Sequence, residues 1–513
     1  MKCKQLLLLA VFTSSVLGGC TKLDEKLQGD LTLEQAQRVA DVNAMLKGAY
    51  NGLRSYQTQD LIWCLQTLTT DEGIPPTRGG DWDDNGVWRV LHTHTWTAEN
   101  DRISGTFNSL LGTVFASTNL LNFKPTAQQA AESKFIRAFV MFTVLDIWNQ
   151  VPFRQPGENL LNPPQVLVGP AALDFIIAEL NAIMNDLPDN GPTTAYQANK
   201  NAARALLMKC YLNRGVVANR ASPTFAAADM AQVITLADQI INSNKYALDP
   251  DYFDNFAPDN DTKSSELIFT NLNNNSEAGN VRFHYHCGTH YSQTPEGGWN
   301  GFTTLSDFYD KFDAADKRLG AAYPGSTDLT GLRVGFLFGQ QFDRNGNPLK
   351  DRNGNNLSFT KAVKLVESGP TLEVTGIRVA KYAVDAYSDA GTIKERGNAK
   401  NDYVMLRYAD VLLMKAEAQL RSSLAAGALT TTNLVRTIRG VPTYTSVTLD
   451  NIYDERGREM YWEGYRRQDM IRFGKFLAPF QEKPAASPAK ALLFPIPSGA
   501  LAVNPNLQQN PGY

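Results

Sequence analysis

Aromatic side chains interleaved with planar polar ones mark two stretches of this chain. Residues 71–100 (DEGIPPTRGGDWDDNGVWRVLHTHTWTAEN) carry Trp82, Trp88 and Trp96 among Gly, Asp, Asn and Arg. Residues 281–302 hold Phe283, Tyr285, Tyr291 and Trp299 in similar company. The C–H face of a pyranose stacks on an aromatic ring, while its hydroxyls pair with planar amide, carboxylate and guanidinium groups. The side chains expected to touch such a ligand are Trp82, Trp88, Trp96, Asp81, Arg78, Tyr291, Trp299 and Asn300. The competing reading is that each tryptophan packs on a scaffold, and the pattern as a whole says more than any one member.

Other chemistries fit less well. All five histidines fall in two clusters, His92-Thr-His94 and His284-Tyr-His286-Cys-Gly-Thr-His290. On a strand, His-x-His puts both imidazoles on one face, as metals require, but no His-Glu-x-x-His partner helps complete a site. Histidines in polar, aromatic-rich loops are the expectation, with no metal and no cofactor. A Gly-x-Ser-x-Gly elbow and a Gly-rich phosphate loop are both missing. The pentapeptide Asp-Arg-Asn-Gly-Asn occurs at Asp343 and again at Asp351. Asn-Gly favours tight turns, so the segment reads as a hairpin with two reversals; calcium is the alternative, but an EF-hand has Gly at position six and here it is at four.

The run from Asp454 to Asp469 could hold a carboxylate pair for acid/base work, since Glu455, Glu459 and Glu463 would share a helical face. Interleaved arginines argue for structure instead. Asp454–Arg458 and Glu463–Arg467 are spaced (i, i+4), and Arg456–Glu459 is spaced (i, i+3). Carboxylates so surrounded stay ionised, the opposite of what a general acid needs.

The 513 residues are 43% hydrophobic and 20% charged, which fits a folded chain with a sizeable core and excludes general disorder. The formal net charge is −3, with no electrostatic case for nucleic acid as a partner. Residues 1–20 (MKCKQLLLLAVFTSSVLGGC) combine a basic start, a short apolar run and Leu17-Gly18-Gly19-Cys20, which matches the bacterial lipobox. Residues 1–19 are read as a lipoprotein signal peptide, and 20–30 as the lipidated Cys20 and its polar tether. Acyl chains on Cys20 would anchor the exported chain, each buried CH₂ contributing about 0.8 kcal/mol. Thr21, rather than Asp, follows the cysteine. Cys64, Cys210 and Cys287 then remain, too few for a disulfide framework, and the first two read as small buried hydrophobes.

Helical periodicity recurs at 32–54, 101–122, 127–149, 171–187, 199–215 and 226–243, with Thr32 as a candidate N-cap. Phe135, Phe139, Phe142 and Leu145 fall on one face of the third run. Short loops join these runs, the logic of stacked helical hairpins of tetratricopeptide type, although no 34-residue repeat aligns. From about 250 to 400, Pro, Gly and Asn rise and β-type runs such as Glu266–Thr270 appear. Helices are expected again at 402–421 and 449–470, and none in the Pro- and Asn-rich last segment.

Taken in order, these motifs resemble the SusD/RagB family of Bacteroidetes surface lipoproteins. The resemblance rests on Cys20 with its lipobox, Ala49-Tyr-Asn-Gly-Leu53, Thr70-Asp-Glu72, Ala131–Phe139 leading to Trp148-Asn-Gln-Val-Pro152, and Asn201–Leu207 with Tyr211-Leu212. It continues through Leu406–Ala418, Tyr461–Arg466, Pro495-Ile-Pro497, Asn504-Pro-Asn506 and Gln509–Tyr513. One departure is Asn149, where the family often has Gly. The resemblance implies a mainly α fold: one large SusD-like domain, a tetratricopeptide-like helical-hairpin scaffold with a loop-rich mixed α/β face. Residues 31–250 would form its N-terminal part and 251–513 its C-terminal part. It implies a non-enzymatic outer-membrane protein that binds oligosaccharides and acts as the lid of a SusC-like TonB-dependent barrel. A peptide-binding lid and a glycoside hydrolase on a helical scaffold are the alternatives.

Overall fold

The Ala127–Trp148 helix lies at the centre of the helical layer, and its ends follow from the sequence. Thr126 and Gln129 form a reciprocal capping box, so two N-terminal amides find partners. At the other end Asn149 takes φ 63°, the left-handed position that glycine or asparagine fills most easily. The Asn149 departure is therefore conservative, and its Oδ1 also accepts from Arg220 at 2.9 Å. The computed structural model describes residues 33–274, 281, 283–294, 297–385 and 399–513. Cys20, its lipobox, the tether and Thr32 lie outside the described residues.

Helices pack as pairs close in sequence. Asp101–Leu120 lies against Ala127–Trp148, Lys200–Leu212 against Ala227–Asn242, and Tyr408–Arg421 against Ala425–Ile438. The expected stack of helical hairpins is present. Phe135, Phe139, Phe142 and Leu145 are buried, but so are Ile136, Val140 and Val144 on other faces, because the central helix has neighbours all round. The run expected over 32–54 is two helices, Leu33–Val39 and Val42–Gly52, with Asp41 capping the second. Among the described residues no helix is long and apolar enough to cross a membrane.

Among the described residues there are five small sheets: one, Gln150–Phe153 with Gln165–Val168, follows the central helix, and the other four stitch the loop-rich part together. Leu267–Asn271 pairs antiparallel with Tyr403–Arg407. The latter is a departure from expectation, since 402–407 was expected to be helical. Its apolar residues are buried on both faces, and such a run does not distinguish strand from helix. A further short helix, Ser498–Val503, forms after Pro497 in the segment expected to lack one. Around Asp343 and Asp351 the chain makes the two expected reversals. Leu349 N–H donates to Gln341, Leu357 N–H to Leu349, and Gln341 N–H to Leu357, so three runs eight residues apart close on one another.

Arginines and carboxylates fill the core beneath the C-terminal helices. Glu459 accepts from Arg407 (2.7 Å), Arg439 (2.8 Å) and Arg318 (3.0 Å), all side chains fully buried. Glu455 meets Arg436, Arg318 and Arg458, and Glu463 meets Lys381 and Arg407. The local pairs expected from spacing are not the ones formed. Asp454 pairs with Lys311, Arg456 with Asp410 and Asp469, and Arg467 faces Asp146 at 3.9 Å. Glu463 is not on the helix at all: Leu449–Met460 ends first, and Trp462 and Gly464 take positive φ. Tertiary partners win because a buried charge must be neutralised from every side.

Candidate functional site

Two loops converge on one face. The short strand Thr77–Arg78 runs parallel to Val366–Glu367, then reverses, with Arg78 and Asp81 exchanging backbone bonds of 2.9 and 3.1 Å. The reversal delivers Trp82 in the left-handed region, φ 61°. For a bulky residue that conformation costs about 1–2 kcal/mol and needs outside support. Support comes from the second loop. Trp82 Nε1–H donates to the Trp299 carbonyl at 2.9 Å, and its ring lies 4.6 Å from Phe302. Gly301 sits directly beneath; a Cβ there would come within 2.4 Å of the indole.

Trp299 is set by pairing within its own loop. Its N–H donates to His286, Asn300 N–H to Thr289 and Gly301 N–H to Cys287, at 2.7–2.9 Å. Trp82 and Trp299 stand 6.2 Å apart, both half-buried, so each keeps part of its ring accessible. Tyr291, also half-buried, donates its hydroxyl to Asp81 at 2.5 Å and carries the Arg352 guanidinium 4.0 Å over its ring. Burial, reinforced by Asp81, pushes the Tyr291 phenol up to about 12, so it stays a neutral donor.

Behind Tyr291 lies a short polar relay. Arg352 Nε donates to Glu373 at 2.6 Å, and His290 Nε2 meets the other Glu373 oxygen at 2.9 Å. Ser292 N–H donates to His290 Nδ1 at 3.2 Å, which assigns the ring proton to Nε2. Burial lowers the His290 pKa despite Glu373, leaving a neutral imidazole. Burial opposes ionisation of Glu373, but the bonds from His290 and Arg352 outweigh it and hold its carboxyl below the usual range.

The other candidate residues sit deeper. Trp88 is buried under Trp82 and Phe302, at 5.9 and 5.3 Å, and donates to Asp84 at 2.6 Å. Trp96 is buried in a different cluster, donating to the Tyr513 hydroxyl at 2.7 Å and packing on Phe494. Arg78, buried, grips Thr375 and the Gly301 carbonyl, and Asn300, buried, accepts from Arg378 at 2.8 Å. These four position loops rather than face solvent. Asp81 is exposed. Tyr285 is buried, and the Phe283 side chain lies outside the described residues. Arg352 and Glu373 were not singled out for the site, and His290 was weighed only within a histidine cluster for metal; the Asp-Arg-Asn-Gly-Asn repeat held a signal for Arg352 and none for Glu373.

The remaining candidates are structural. His92 and His94 lie at the end of the Arg89–Thr93 helix, not on a strand. His94 bonds the Thr69 carbonyl at 2.7 Å and Ser487 at 2.8 Å, and stacks on Phe476. Burial lowers His92 to about 4 and His94 to about 3. Among the described residues no cluster of His, Cys, Asp or Glu is arranged for a metal. The Asp343 and Asp351 carboxylates are occupied by turn amides: each accepts two backbone N–H groups and an asparagine side chain. Cys64, Cys210 and Cys287 are free and buried. Burial opposes ionisation of Glu455, but Arg318, Arg458 and Arg436 overcome it and bring its carboxyl down to about 2. Glu459 is likewise held well below the usual range by Arg439, Arg407 and Arg318 against the cost of burial. Neither carboxyl can serve as a proton donor near neutrality.

Residues 265–513 match the model of the SusD family. The starch-binding protein SusD of Bacteroides thetaiotaomicron is 25% identical over 419 residues, spanning 76% of this chain and 73% of that protein. The SusD-like protein P2 of Formosa agariphila is 24% identical over 97% of both chains. A solved SusD superfamily protein from Parabacteroides distasonis superposes with a TM-score of 0.71 at 19% identity, covering 94% of this chain and 100% of that one. Surface glycan-binding protein A from Bacteroides thetaiotaomicron, solved with laminarihexaose, gives a TM-score of 0.70 at 19% identity over 91% of this chain and 98% of its own. With a family match over residues 265–513, relatives aligned over three quarters or more of its length and a fold shared with solved SusD superfamily proteins, the chain is similar to the SusD family.

Proposed function

We propose that this chain captures oligosaccharides on the face formed by Trp82, Trp299 and Tyr291. The observation that carries the reading is the pair of half-exposed indoles, 6.2 Å apart and held by one hydrogen bond, beside a tyrosine pinned from both sides. Such a surface offers apolar faces to sugar rings and fixed polar groups, Asp81 and Arg352, to their hydroxyls. Little side-chain freedom remains to be lost on binding. A starch-binding relative and a structural relative solved with laminarihexaose support the same ligand class.

In this reading the protein has no chemical step of its own. Cys20 carries the lipid anchor at the outer membrane, and the bound glycan passes to a SusC-like TonB-dependent barrel on which the protein sits as a lid. Calorimetric titration with oligosaccharides cut from starch and laminarin, together with a wider neutral glycan panel, tests the capture step. Binding that weakens roughly tenfold in Trp82→Ala and in Trp299→Ala is expected from aromatic contact energies. Unchanged affinity in both variants would place the ligand elsewhere.

A further inference from the structure

The twin Asp-Arg-Asn-Gly-Asn turns are not explained by the capture site alone. They hang from one closed meander and carry their arginines to different places. The second turn lays Arg352 over Tyr291. The first sends Arg344 into a neighbouring groove of about 800 Å³, also lined by Phe338, Phe342, Gln340, Gln341 and Arg333. That volume suits a small-molecule or oligosaccharide segment.

Three features set the groove apart from ordinary surface. Phe338 and Phe342 are 48% and 47% exposed, two large apolar rings beside the polar side chains of the lining. Arg333 and Arg344 make no ion pair or hydrogen bond among the described residues, whereas Arg352 is bound to Glu373. The groove also joins the capture site through two hydrogen bonds in series: Gln341 accepts from Gln293 at 3.2 Å, and Gln293 accepts from the His290 N–H at 2.7 Å, one residue from Tyr291.

We infer that this groove is a second sugar-binding subsite, taking the distal units of the oligosaccharide whose other end stacks on Trp82 and Trp299. This rests on the capture reading and extends it. The two phenyl rings supply stacking faces. The guanidinium groups of Arg333 and Arg344 are planar donors matched to vicinal hydroxyls. Asp328 and Asp343 balance the two arginines along the lining, so the ligand is a neutral glycan rather than a polyanion. The meander then acts as a ruler, one turn for each subsite.

The test uses the whole protein and chain length as its variable. A polysaccharide panel that includes starch and laminarin identifies a retained polymer, and a trisaccharide and an octasaccharide are cut from it. Phe338→Ala/Phe342→Ala and, separately, Arg344→Ala are titrated with both. These side chains are exposed, so thermal melts should match wild type. The expected result is octasaccharide binding weakened about tenfold in the double variant, with trisaccharide binding unchanged. Equal affinities in variants and wild type at both lengths overturn the subsite and leave the capture reading standing; that is also the outcome if the groove docks a protein instead. Loss at both lengths overturns a separate distal subsite. If no glycan retains the wild type, the capture reading falls and this one with it.

Discussion

Trp82 and Trp88 are six residues apart in one loop and differ in what their removal should do. Trp82 is half-exposed and Trp88 is buried at 4%. Trp88→Ala opens a cavity beside Phe302 and should destabilise the fold by about 3–5 kcal/mol. Trp82→Ala should act chiefly on glycan affinity. Thermal melts paired with titration separate the two, and a Trp88→Ala protein that melts like wild type yet loses binding would reverse the assignment. Glu72 offers a second residue-level test. It is fully buried, one oxygen accepts only a 3.4 Å bond from Trp462 N–H, and the other has no partner. Burial pushes its carboxyl from 4.5 up to about 8, against a smaller opposing pull from Arg466. The folded state therefore binds a proton that the unfolded state has released, and stability falls as pH rises from about 4.5 to about 8. Glu72→Gln should remove that loss, so its melting temperature should exceed wild type most at the alkaline end of the window. A constant difference across the window would refute it.

At the scale of elements, the Leu449–Met460 helix was legible as charged and structural but not as part of a network. The (i, i+4) pattern pointed to local pairs, while the folded helix spends Glu455 and Glu459 on arginines from Arg318 to Arg439. Removing one charge leaves several guanidinium groups buried without their shared partner. Glu459→Gln should cost about 3–5 kcal/mol, read from chemical denaturation, with glycan affinity per folded molecule unchanged. The same network sets an acid limit. Glu455 titrates at about 2 in the fold against an ordinary 4.5, so its stabilisation is complete above about pH 4.5 and is lost as pH falls toward 2. Acid unfolding that begins only below that window would show that the network is not the weak point. The Tyr403–Arg407 strand shows a different limit: its apolar run is compatible with helix, and only pairing with Leu267–Asn271 selects strand.

At the scale of the molecule, the proposed export and anchoring through the first twenty residues can be tested apart from the fold. Cys20→Ala should abolish partition into a Triton X-114 detergent phase while leaving glycan affinity intact; unchanged partition would place the anchor elsewhere. The sequence by itself determined the helical-hairpin scaffold, because apolar residues at helical spacing can bury a face only against another helix. It also determined the two Asn-Gly reversals and the aromatic loops, each written in a few adjacent residues. Only the tertiary structure decided which rings face solvent. Trp82, Trp88 and Trp96 have alike neighbours in sequence, but Phe302 covers one, Tyr513 and Phe494 enclose another, and Trp299 holds the third at the surface. The partners of Tyr291, Arg352 and Glu459 were hidden for the same reason: they come from segments distant in sequence, and burial of charge and ring area selects them only once the chain has closed.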